Sequence, residues 1–196
     1  MKTVAKLIEK NGGQVIIADQ SGIEHVLHGQ DGVVRGSSRD CYEKSGMRDQ
    51  VGDLKFVSLE KNGWDKGFRH FESEKTASWP NGFYITKLVD EVDHIINLPR
   101  LSTHAQAGVT LGFKNLVGLL REDSRILFHS NGPFHGPIKK NASGSGLEDL
   151  ADGGNTFFEK ITEIYSAVAE KMRVTLFTGT KAQLTFGPDK YVLQNG

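Results

Sequence analysis

Cysteine is almost missing from this chain, and that absence removes much chemistry. Cys41 stands alone, so no internal disulfide closes within one chain, and no iron–sulfur cluster or cysteine-rich zinc ion can be ligated by cysteines of one copy. Cys41 itself reads as a small buried hydrophobe. An excess of charge of either sign is also lacking: 24 Lys plus Arg balance 24 Asp plus Glu. That balance denies the chain the broad cationic surface that nucleic acids or acidic membranes attract, and neither is expected as a partner. No apolar run reaches the roughly 20 residues of a membrane span. Lys6, Glu9 and Lys10 interrupt the apolar core that a leading signal peptide would need. The expected setting is the reducing cytoplasm. Missing too are the Walker A loop, the Gly-x-Ser-x-Gly elbow, the His-Glu-x-x-His pair and the Gly-x-Gly-x-x-Gly fingerprint, so no cofactor is named by a motif.

What remains is an ordinary globular balance, with 37% hydrophobic and 24% charged residues, which suits a packed domain and is wrong for a disordered chain. The length fits one α/β domain over residues 1–196. Val4, Leu7 and Ile8 share a helical face that Gly12 and Gly13 stop. Residues 15–18 then form the short continuous apolar run of a buried strand, and Asp19 falls at its carboxyl end, the edge where open α/β sheets take ligands. Residues 20–37 are polar and glycine-rich and read as a long loop. A short helix follows over residues 38–45, stopped by Gly46, and residues 54–59 alternate as a strand. Asn62 and Gly63 signal a hairpin with its return strand near residues 67–71. A turn at residues 79–82 precedes a strand beginning at Phe83, and residues 93–99 form a buried strand closed by Pro99. Residues 110–120 read as a helix against the sheet, and residues 130–146 as another loop. Residues 156–172 carry the clearest helical periodicity, opened by a Thr156–Glu159 capping box. Residues 174–178 make a last strand. The alternation predicts a three-layer fold, a mostly parallel sheet flanked by helices, with a hairpin excursion near Asn62.

Residues 97–118 hold the candidate site. Polar groups emerge where a buried strand ends, and a glycine-preceded helix start with Thr110 and Lys114 suits an anion. Thr110 as a plain N-cap with Lys114 in solvent is the structural alternative. His104 reads as a general acid/base, a metal ligand or a hydrogen-bonded structural residue. Asp19, His104 and His129 could together hold a metal only if the fold gathers them. Arg121, Arg125, Lys139 and Lys140 read as a solvated face, and His25, His28, His70 and His94 as surface or packing residues.

The run from Asp93 through Pro99, Thr103 and His104, then Gly108-Val-Thr and Lys114-Asn-Leu-Val-Gly118, resembles the signature of the domain-of-unknown-function 362 family. Its usual elements are an aspartate, an apolar strand, a basic turn ending in Thr-His, then Gly-Val-Thr and Lys-Asn-x-x-Gly. Residues 12–19 resemble its glycine–strand–aspartate element, residues 43–46 its next short helix, and His129 falls where a histidine is common. Two positions depart from the pattern: Arg100 and Ser102 stand where members usually carry lysines, so one cation is kept and one lost. Members also commonly begin with a strand before the first helix and continue past a glycine-proline motif. The resemblance thus implies a short or partial version of the domain, completed by a second copy or a partner chain. It implies no activity, although some members carry iron–sulfur segments. The expectation is a protein binding a small anionic ligand through Asp19, Arg100, Thr103, Thr110, Lys114, Asn115 and His129, with His104 as the proton-moving group. A non-catalytic ligand-binding or redox-partner module, or a metal-binding protein, stands as the alternative, and whether the chain is an enzyme is open.

Overall fold

The computed structural model describes residues 1–22, 25–104, 108–128, 157–177, 179, 181–183 and 193–195. They form helices and small sheets in two compact units, Met1–Gly67 and Phe68–Gly196. All six sheets among the described residues have two strands; two pairs are parallel and four antiparallel. The α/β content therefore agrees with the sequence, while a broad, mostly parallel sheet is not seen in these residues.

In the first unit, α1 spans Lys2–Lys10, where its inward residue is Ala5 and Leu7 faces solvent. Strand β1, Ile16–Asp19, pairs in parallel with β4, Lys55–Ser58. The stretch read as a loop instead contains a hairpin, β2 (Leu27–Gly29) against β3 (Gly32–Arg35). Helices α2 (Ser38–Lys44) and α3 (Met47–Val51) follow, the first capped by the Ser37 hydroxyl, which accepts from the Asp40 N–H. Paired residues on neighbouring strands present side chains to one face. Ile17 and Phe56 are such a pair, and they pack with Tyr42 and Val51 into the unit's core. Tyr42 stacks on Phe56 with ring centroids 4.1 Å apart. A 3-10 turn, Leu59–Asn62, and α4, Trp64–Gly67, end the unit. Asn62 and Gly63 thus open a helical turn, and β4 pairs with β1 instead of with a returning strand.

Gly36, between β3 and α2, sits at φ +72°, and a Cβ there would collide with the His25 carbonyl oxygen. Both facts demand glycine. Gly36→Ala is expected to cost about 2–3 kcal/mol through left-handed strain and displacement of residues 25–26. An unchanged urea midpoint would overturn this.

In the second unit, β5 (Phe68–Phe71) and β6 (Phe83–Thr86) form the hairpin that the sequence placed earlier in the chain. Helix α5 is Leu88–Glu91, and β7, Ile95–Asn97, pairs in parallel with β10, Met172–Thr175. Two short strands, β8 (Thr103–His104) and β9 (Gly108–Val109), pair antiparallel. A 3-10 helix, Gly112–Leu119, then α6, Glu122–Phe128, and α7, Phe157–Ile164, supply apolar faces. Strands β11 (Lys181–Gln183) and β12 (Leu193–Asn195) pair near the end of the chain. Trp79, Phe83, Ile85, Leu116, Leu120, Phe157, Ile161 and Ile164 belong to one core. Helix α7 stops earlier than its periodicity suggests: Tyr165–Ala167 is a 3-10 turn, and Met172 already belongs to β10. The loop predicted at residues 130–146, and Thr156 of the capping box, lie outside the described residues.

Candidate functional site

Asn97 ends β7 and organises the segment that follows it. Its side chain is buried, and its Nδ2 donates to the Gly112 carbonyl at 2.9 Å and to the Thr175 hydroxyl at 3.3 Å. Its Oδ1 accepts from Asn115 Nδ2 at 2.6 Å, and its backbone carbonyl accepts from the Leu176 N–H at 2.9 Å. An amide has two donor hydrogens and one acceptor oxygen, and here all three functions are engaged. Asn97 therefore locks strand β7, the 3-10 helix and the end of β10 together. Sequence reasoning placed Asn97 at the start of the segment and gave it no role. An asparagine closing an apolar strand reads as a turn former.

The lock holds a hairpin. The Thr110 N–H donates to the Ser102 carbonyl at 2.8 Å, and the Thr110 hydroxyl donates to the Arg100 carbonyl at 3.2 Å. Thr103 lies opposite Val109, and His104 opposite Gly108. Arg100 is exposed, Ser102 buried, Thr110 and Lys114 half-buried, and Asn115 exposed beside its bond to Asn97. Thr110 is not a helix cap. The 3-10 helix begins two residues later, with Leu111 in the N-cap position at an extended φ of −116°. The structure thus brings Arg100, Ser102 and Thr110 together on one hairpin and ties Asn115 to Asn97. His129 lies outside the described residues. Asp19 lies at the end of β1 in the other unit, exposed, with its Oδ1 accepting from the Gln20 N–H at 2.8 Å.

Electrostatically, residues 97–118 contain Arg100, Lys114 and His104 and no carboxylate side chain. Among the described residues no three His, Cys, Asp or Glu side chains gather as metal ligands would. Cys41 is a free thiol, half-buried.

Arg121 and Arg125 belong to the interior, contrary to a solvated face. Arg121 is 6% exposed, forms two hydrogen bonds to the Asp123 carboxylate, and lies over the Tyr84 ring. Burial alone would lower its pKa, and the Asp123 carboxylate together with Tyr84 more than reverses this. Arg125 faces the buried Glu122 at 3.6 Å. Lys139 and Lys140 lie outside the described residues. Of the remaining histidines, His28 is buried in a T-shaped ring contact with Trp64, while His70 and His94 hydrogen-bond to Asn81 and Arg173.

Lys160 is a buried cation that sequence reasoning missed. It sits on the inward face of α7, with its ammonium 5.7 Å from the Trp79 ring. Burial pushes its pKa below the ordinary 10.5, opposed by Glu163. The unfolded chain then holds a proton that the folded chain releases earlier, so this group adds stability as the pH rises toward 10.5. The wild type is expected to gain stability relative to Lys160→Met over that alkaline window, followed as urea midpoints. Parallel pH curves for the two proteins would contradict it.

Comparison with known proteins places the chain in a family. The model of "Domain of unknown function (DUF362)" matches residues 1–193, and the chain belongs to that family. A thylakoid-associated protein of Synechocystis sp. is 26% identical over 126 residues, which covers 64% of this chain and 33% of the relative. The matched region spans about a third of that relative's length. No solved structure matches the chain significantly. No helix among the described residues is long and apolar enough to cross a membrane.

Proposed function

We propose that this protein binds a small anionic ligand at the segment from Arg100 to Asn115. The observation that carries this reading is a cationic stretch without a carboxylate, residues 97–118, in which the Asn97 lock fastens Gly112 and Asn115 to the end of β7. Residues already held by hydrogen bonds spend little further entropy when they take a ligand. Arg100 and Lys114 are the charge-bearing groups, with Thr103 and Asn115 as neutral partners and Thr110 as the fastener of the hairpin. Arginine suits the bidentate recognition of carboxylate or phosphate that a lysine at its position would not give. His104, next to Thr103 in sequence, is the group that would move a proton if the ligand is also a substrate. His129 remains a candidate for the same ligand; Asp19, a carboxylate in the other unit, does not. We read the chain as one family domain over residues 1–196, acting in the cytoplasm; association with thylakoids belongs to the relative.

Titration with inorganic phosphate tests the proposal, followed through backbone amide NMR signals of residues 100–115. Saturable shifts confined to that segment are expected. Arg100→Ala and Lys114→Ala are each expected to weaken binding about tenfold, the scale of one charge-assisted hydrogen bond. His104→Gln is expected to leave binding near wild type. Wild-type affinity in both cation variants would sink the reading.

A further inference from the structure

The carboxyl edge of the β1–β4 pair, in the first unit, carries a second chemistry. Asp19 and Ser58 close the two parallel strands as opposite partners, which puts their side chains on one face. It is the face on which Ile17 and Phe56 meet α2 and α3. Two residues beyond Ser58, Glu60 is buried at 3% exposure, and its Oε1 accepts from the Ser38 N–H at 2.7 Å. The Ser38 hydroxyl in turn accepts from the Ser21 N–H at 2.8 Å, two residues beyond Asp19. Those bonds draw the ends of both strands and the start of α2 into one cluster. Ser38 and Ser58 are buried within it, and Asp19 faces solvent.

Two oxygens in this cluster have no hydrogen-bond partner among the described residues: Ser58 Oγ and Glu60 Oε2. A buried carboxylate oxygen left bare costs more than most polar atoms, because the charge has been taken from water. The Ser38 N–H accounts for one oxygen of Glu60 and leaves the other unexplained. The donors this cluster offers are all oxygen: two carboxylates and a hydroxyl, of which the Asp19 carboxylate belongs to an exposed residue and the other two to buried ones. A set with one or two carboxylates, completed by water, is what a small hard cation such as Mg²⁺ takes. It is a poor match to an anion, which Asp19 and Glu60 would repel.

We propose that Asp19, Ser58 and Glu60 form a binding site for a hard divalent cation of the magnesium class at the carboxyl edge of the β1–β4 pair. The site stands apart from the Arg100–Asn115 reading, and neither depends on the other.

Mn²⁺, an EPR-visible stand-in for Mg²⁺, tests this on the full chain. One saturable Mn²⁺ per chain is expected, displaced by excess Mg²⁺. Asp19→Asn keeps an oxygen for the Gln20 N–H, and Glu60→Gln keeps one for the Ser38 N–H, so both changes remove charge while keeping an acceptor. Each is expected to weaken Mn²⁺ binding roughly tenfold or more, as loss of a partner at a metal site commonly does. Ser58→Ala is expected to weaken it severalfold and serves if Glu60→Gln fails to fold. The site is refuted if no saturable Mn²⁺ binding occurs below millimolar concentration. It is equally refuted if folded Asp19→Asn and Ser58→Ala proteins bind Mn²⁺ at wild-type strength.

Discussion

Trp79→Ala is expected to cost about 3–5 kcal/mol, the range for removing a fully buried large aromatic. Trp79 is 2% exposed, and its ring centroid lies 5.0 Å from that of Phe83. Its indole N–H donates to the Lys160 carbonyl at 3.3 Å, pinning the turn before β6 to α7. Nearby, the Ser78 N–H and hydroxyl donate to the Glu163 carboxylate, so two consecutive residues of one turn are tied to one helix. Alanine would leave a cavity among Phe83 and its neighbours and strand the Lys160 ammonium without its ring. Against a whole-domain stability of about 5–15 kcal/mol, the loss is a large fraction. It should appear as a fall in Tm of roughly 10–15 °C. Phe158 is the control: it sits on the same helix but is 55% exposed, so Phe158→Ala should change stability by no more than about 0.5 kcal/mol. Equal melting curves for the two variants would show that the turn at residues 76–79 does not seat the core as described.

Local signals carried the first-order organisation. Gly12 and Gly13 stop α1, the apolar run after them is β1, Gly46 follows α2, and the Trp79–Gly82 turn opens β6. Each of these rests on neighbouring residues alone, which is why a single sequence revealed it. What the sequence hid depends on partners far along the chain. The β2–β3 hairpin is only three and four residues long and glycine-rich, and its burial of His28 has no periodic signature. Residues 165–172 keep the helical spacing of apolar side chains, yet parallel pairing with β7 recruits Met172 into a strand. The charge of Arg121 argues for solvent, whereas Asp123 and the Tyr84 ring satisfy it indoors. The family signature located the cationic segment, but the feature that orders it was illegible. Asn97 bonds to residues 15, 18 and 78 positions away, and no spacing rule reports such contacts.

Asn97→Ala is therefore expected to have the second-largest effect, about 2–4 kcal/mol, from the loss of a buried amide whose partners are left unpaired. The Gly112 carbonyl loses its donor and the Asn115 amide its acceptor, while the exposed end of Asn115 can turn to water. Asn115→Ala removes one hydrogen bond at an exposed residue and should cost only about 1 kcal/mol. Because the two side chains share a bond, the double variant should be less destabilised than the sum of the singles, by about 0.5–1 kcal/mol. Additive losses would show that the 2.6 Å contact contributes nothing. The same variants separate architecture from recognition. If the lock presents Arg100 and Lys114 in a fixed arrangement, Asn97→Ala should weaken phosphate binding severalfold at temperatures where the protein remains folded, although neither cation is altered. Lost stability with undiminished phosphate affinity would mean that the cations recognise the anion without help from the lock, leaving Asn97 a purely structural residue.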